Sequence, residues 1–162
     1  MIFETNSTLI FFSYYDQLVA IDAKIPVSEV QIPFKWKDAF DKGSIFGGRI
    51  SLTVPSFAYE RVCVLFNMGA YSSMIAAGEN FDTDDGLQKA LKKLQFAAGI
   101  FTHLKDTSVS AIQRDPTPDL DPDTLGILSG KICNYVQCVP RVSGLSQYYG
   151  SPDTSGYNMH NM

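Results

Sequence analysis

Basic residues are in short supply in this chain. Thirteen Lys and Arg stand against seventeen Asp and Glu, for a formal net charge of −4 over 162 residues. No strongly positive field is therefore available to gather nucleic acid or anionic lipid. Cysteine is also scarce, with only Cys63, Cys133 and Cys138 present. An odd, widely spaced set without a CxxC pair excludes a disulfide framework and gives no zinc-ligand pattern. Reduced cytosolic thiols are the expectation. Long apolar runs are missing as well. The run Leu9–Phe12 is broken by Ser13 and ended by Asp16, far short of the roughly 20 apolar residues of a membrane helix. Without a basic segment before it, the run does not read as a signal peptide. What is present is ordinary for a globular domain: 45% hydrophobic and 19% charged residues. The length suits one domain with a sizeable core.

Apolar spacing organises the rest. Leu9, Phe12, Tyr15, Leu18, Val19 and Ile21 recur mostly three or four apart, which predicts a helix over 8–22 capped by Asn6 or Ser7. The period then drops to two. Ile32, Phe34 and Trp36 alternate with Pro33, Lys35 and Lys37, and Ile50, Leu52 and Val54 alternate with Arg49, Ser51 and Thr53. With Asp41, Gly43, Gly47 and Gly48 between them, the two runs predict a β-hairpin. Ser56 is placed to cap a helix bearing Glu60 in its first turn, and Gly78 to end it. Its stripe runs through Tyr59, Val62, Cys63, Phe66, Ala70, Ser73, Met74 and Ala77. Thr83 or Asp82 can cap the next helix, whose stripe is Leu87, Ala90, Leu91, Leu94, Ala97, Ala98, Phe101, Leu104 and Ile112. The short link makes the two helices an antiparallel pair, with Ala70, Ala90, Ala97 and Ala98 allowing close approach. Asp121 and Pro122 open a further helix through Leu125, Leu128, Ile132, Tyr135, Val136 and Val139, which Pro140 should end. The Gly-, Ser-, Asn- and Tyr-rich residues 141–162 predict a disordered tail.

Chemical motifs are weak. Gly47-Gly48 precede a strand rather than a helix, so turn geometry explains them better than phosphate binding. His103 has no Cys or His at ligand spacing, His160 lies in the tail, and neither GxSxG nor HExxH occurs. Glu79, Asp82, Asp84 and Asp85 lack the ligand spacing of a calcium loop and read as helix-start acids. Cys133 and Cys138, five apart, do not share a helix face. Trp36 reads as a core residue. No catalytic, cofactor or metal residue is assigned.

In chain order, YYDQLVAIDAKIP, FKWKDAFDKGSIFGGRISL, YERVCVLFNMGAYSSMIAA, DDGLQKALKKLQFAAGIFTHLKD and DPDTLGILS resemble successive blocks of the BRO domain family. WKDAFDKGS–FGG and CVLFN are the specific parts, and the resemblance spans residues 14–129. It implies a mainly α fold: antiparallel long helices with tetratricopeptide-like packing plus a small β-hairpin or sheet, a partial BRO domain over 8–140. The implied function is a non-enzymatic, cofactor-free ESCRT-pathway adaptor. BRO domains bind the C-terminal helix of an ESCRT-III subunit of the charged multivesicular body protein 4 class, in endosomal sorting and multivesicular body formation. The implied place is the cytoplasm, with endosomal membranes reached only through partners.

The sequence also departs from the family. It is shorter than a whole BRO domain, MIFETNSTLIFF stands where the family has a strand and its first helices, and the resemblance fades after Gly130. The family's main apolar anchors for the ESCRT-III helix have no matching positions, so truncation is expected to impair binding. Only Asp84, Leu87 and Lys92 carry over as partner-binding residues. Each has a plainer role open to it: helix-start acid, core residue and solvated lysine. Two other functions stay open, a generic helical interaction module and an unrelated enzyme whose site residues meet only in space.

Overall fold

The computed structural model describes residues 2–25, 31–39, 50–112 and 114–142. The alternating runs form the two strands, β1 (Phe34–Lys37) and β2 (Ser51–Val54). They pair antiparallel, with Phe34 opposite Val54 and Trp36 opposite Leu52. Lys35, Lys37, Ser51 and Thr53 face solvent, while the other face covers α2 (Phe57–Ala77), with the Phe34 and Phe57 ring centroids 5.7 Å apart. Residues 40–49, with the glycines of the expected turn, lie outside the described residues.

Among the described residues four helices make up the remainder: α1 (Ile2–Asp22), α2, α3 (Asp84–Ile112) and α4 (Pro122–Val142), with a short 3-10 turn at Pro118–Leu120. They pack in chain order, α1 on α2, α2 on α3 and α3 on α4. The caps expected for α2 and α4 form. Ser56 Oγ accepts the Tyr59 N–H, Gly78 closes α2, and Asp121 Oδ1 accepts the N–H groups of Asp123 and Thr124. Each satisfies backbone groups that a bare helix end would leave unpaired.

The α2–α3 seam is the centre of the core. Ala90, Ala97 and Ala98 are all buried on α3, Ala98 on the side where its carbonyl accepts from Ser129 of α4, and a Cβ added to Gly69 would lie 3.1 Å from the Phe101 ring. The axes approach closely enough for the Phe101 ring to reach Phe66 edge-on at 5.5 Å. Across the α3–α4 seam, Thr102 and Ser129 share a 2.7 Å hydroxyl contact, and Ser108 donates to the Leu120 carbonyl.

Several expectations are corrected. Helix α1 begins at Ile2, so Asn6 and Ser7 lie within it instead of capping it; residues 2–7 contain no glycine or proline to stop it. Leu9, Val19 and Ile21 point outward, while Phe11, Phe12, Tyr15 and Leu18 pack inward. In α2, Met74 and Ala77 are exposed, and burial runs nearly all round from Phe57 to Gly69. That stretch touches α1, α3 and the hairpin together, so no single stripe describes it. Tyr135 of α4 is exposed too. Helix α4 passes Pro140 and ends at Val142; the proline removes only one backbone donor, two residues before the end. Residues 143–162, most of the expected tail, lie outside the described residues.

Two polar contacts tie the hairpin to the helices. Glu60 is buried in α2, accepting the Tyr14 hydroxyl of α1 at 2.9 Å and the Trp36 indole N–H of β1. Past β1, Asp38 accepts the Asp119 N–H, and Asp119 accepts the Ala39 N–H. This reciprocal clasp joins the hairpin to the segment before α4.

Candidate functional site

The three sequence-derived candidates stand at the start of α3. The preceding turn is tightly held. Asn80 Oδ1 accepts the Asp82 N–H, Thr83 Oγ1 donates to the Asn80 carbonyl, and the Gly86 N–H donates back to Thr83 Oγ1. Thr83 is therefore the cap, as one of the two expected alternatives. A Cβ at Gly86 would lie 2.0 Å from the Asn80 carbonyl oxygen, so only glycine fits. The turn sends Asp84 and Asp85 into solvent on the first turn of α3, where acids complement the helix dipole.

Asp84 and Lys92 are both exposed, whereas Leu87 is 8% exposed and faces the core. The structure thus separates Leu87 from the other two. Asp84 and Lys92 are eight residues apart, about 12 Å along the axis. Gln88, also exposed, stands midway on the same i, i+4 ridge. Gln88 was absent from the sequence candidates, although the four-residue spacing pointed to it. Beside the ridge, Lys89 pairs with Asp85 at 2.5 Å, and that hydrogen bond raises the Lys89 pKa. The pair is fully solvated and stabilises the helix only slightly.

A second polar place lies under the hairpin. A crevice of about 40 Å³ is lined by Trp36, Asp38, Tyr59, Cys63, Asn67 and Asp119, among others. Burial pushes the Cys63 thiol up to about 12, so it is a neutral packing group at physiological pH rather than a nucleophile. Burial, then Cys63, also raises the Tyr59 phenol. Burial and the Glu60 hydrogen bond push Tyr14 up to about 12. Among the described residues, no group of three His, Cys, Asp or Glu could hold a metal ion. His103 is half-buried on α3, its carbonyl accepting from Thr107.

These shifts set an alkaline limit. The ordinary value is 10.0 for the Tyr14 phenol and 9.0 for the Cys63 thiol, and the fold raises both. A proton held more tightly in the folded state stabilises it below the unfolded pKa, and that stability is lost as pH rises through the folded pKa. The urea midpoint should be level between pH ~7 and ~9 and then fall steadily toward pH ~12. A midpoint unchanged at pH ~11 would contradict the burial of these groups.

The profile of the BRO1-like domain matches residues 4–133. The chain belongs to the BRO1-like domain family. Its curated relatives include Programmed cell death 6-interacting protein from Mus musculus, 56% identical over 118 residues. That alignment covers 72% of this chain and 14% of the relative. The "Vacuolar protein-sorting protein bro1" of Aspergillus fumigatus is 32% identical over 121 residues, covering 74% of this chain and 11% of the relative. A solved structure described as an ALIX BRO1 CHMP4C complex superposes with a TM-score of 0.83 at 45% identity. It covers 90% of this chain and 41% of that one. The mainly helical BRO1 fold with its small antiparallel sheet is therefore the fold of this chain, which spans a minor part of these relatives. None of its described helices is long and apolar enough to cross a membrane.

Proposed function

We propose that this BRO1-like chain serves the ESCRT pathway as a non-enzymatic adaptor. In this reading the start of α3 supplies the polar part of a docking face for the C-terminal amphipathic helix of an ESCRT-III subunit, of the charged multivesicular body protein 4 class. The observation that carries it is the superposition on an ALIX BRO1 structure solved with CHMP4C. The exposed ridge Asp84–Gln88–Lys92 supports it physically. A partner helix lying along that ridge meets an acid at one end and a cation two turns later, which favours a partner of the opposite charge order. Leu87 adds apolar contact only at its edge. The chain then works at the cytoplasmic face of endosomal membranes through its partner.

Exposed charge pairs contribute about 0–1 kcal/mol each, and this ridge offers little apolar area. Affinity through it should therefore be low, with Kd roughly 0.1–1 mM. Titration calorimetry with the ESCRT-III helical peptide checks this. Asp84→Ala should weaken binding about five-fold, or ~1 kcal/mol. Equal affinity for the native chain, Asp84→Ala and Lys92→Ala would reject the site.

A second reading, a helical interaction module without ESCRT-III binding, draws on exposed Leu9 and Ile10 of α1 and Ile127 and Tyr135 of α4. A scrambled amphipathic peptide that bound as well as the native one would favour it.

A further inference from the structure

The middle of α1 is fastened by a contact that added negative charge would break. Tyr14 is 39% exposed, and its hydroxyl donates to Glu60 at 2.9 Å. Glu60 is 5% exposed, and its second oxygen already accepts from Trp36. The adjacent cation, Arg61, is engaged by Asp22 at 3.0 Å. The tyrosine hydroxyl thus faces a buried carboxylate whose other oxygen is occupied.

We propose that Tyr14 is a modification site for a tyrosine kinase, and that phosphorylation there releases the middle of α1 from α2 and the hairpin. In that step the γ-phosphoryl group of ATP passes to Tyr14 Oη. The O–P bond forms, the bond to the β-phosphate oxygen breaks with loss of ADP, and the phenolic proton leaves to the kinase's base. The product has no hydrogen to donate to Glu60. It also carries a charge of about −1.5 to −2 at neutral pH. Loss of the donor and repulsion from the carboxylate act in the same direction.

The opening is local. Phe11 still meets Tyr71 and Phe12 still meets Phe96, with ring centroids 5.8 and 5.6 Å apart, and Asp22 still holds Arg61 at the far end. Release between these anchors frees residues 13–21 of α1 from their seat on α2.

The full chain, incubated with a broad-specificity tyrosine kinase and ATP, tests this when the modified residues are mapped by mass spectrometry and amide exchange is measured. Tyr135, 68% exposed on α4, reports general accessibility to the kinase. The expected result is phosphate on Tyr14, with α1 amides over 13–21 exchanging about tenfold faster and α3 amides unchanged. Tyr14→Phe keeps the ring and takes no phosphate there, so its α1 exchange should not respond to the kinase. Phosphate on Tyr135 but none on Tyr14 would overturn the proposal. So would a modified Tyr14 with unchanged α1 exchange, or the same acceleration in Tyr14→Phe.

Discussion

Phe101→Ala should lower the unfolding free energy by about 3–5 kcal/mol, the range for emptying a buried phenylalanine site. Phe101 is 3% exposed, edge-on to Phe66 and packed against Gly69 in the α2–α3 seam. Collapse into the vacated space is blocked because both helices are held on their other sides, α2 by α1 and the hairpin, α3 by α4. A chain of this size loses about 2–4 °C of Tm per kcal/mol, so thermal unfolding should fall by roughly 10 °C. A drop below about 2 °C would show that the α2–α3 seam is not the centre of the core.

Glu60→Ala should cost about 2–4 kcal/mol for a different reason. The substitution strands the Tyr14 hydroxyl and the Trp36 indole N–H, and an unmet buried donor costs about 1–3 kcal/mol. Both donors are only partly buried, so solvent takes up some of that cost. Glu60→Gln should fall between native and alanine, because the amide can accept one of the two donors but turns its own N–H₂ toward the other. Chemical denaturation of the three proteins gives the order. Glutamine as damaging as alanine would mean that charge, rather than acceptor capacity, holds the junction.

The sequence disclosed what depends on near neighbours. Alternation around Trp36 and Leu52 gave the hairpin, and Ser56, Thr83 and Asp121 marked helix starts because a cap bonds within three residues. It did not disclose what depends on distant partners. Glu60 read as a first-turn acid suited to the dipole, yet its partners lie 46 and 24 residues away. The Asp38–Asp119 clasp spans 81 residues and has no local signature. Helix α2 was legible as a helix but not as an element buried on nearly all sides, because one stripe cannot report three neighbours. At the candidate site, spacing put Leu87 in the buried stripe, where the structure has it, while the resemblance grouped it with exposed Asp84 and Lys92 and gave no weight to Gln88 between them.

The first turns of α3 are proposed as the polar part of an ESCRT-III helix site. Amide chemical-shift mapping, with the ESCRT-III helical peptide titrated into the ¹⁵N-labelled chain, tests it most directly because it registers weak binding. Saturable shifts should concentrate at Asp84, Gln88 and Lys92 and shrink in Asp84→Ala. A peptide that binds while those amides stay still, with shifts elsewhere on the chain, would contradict it.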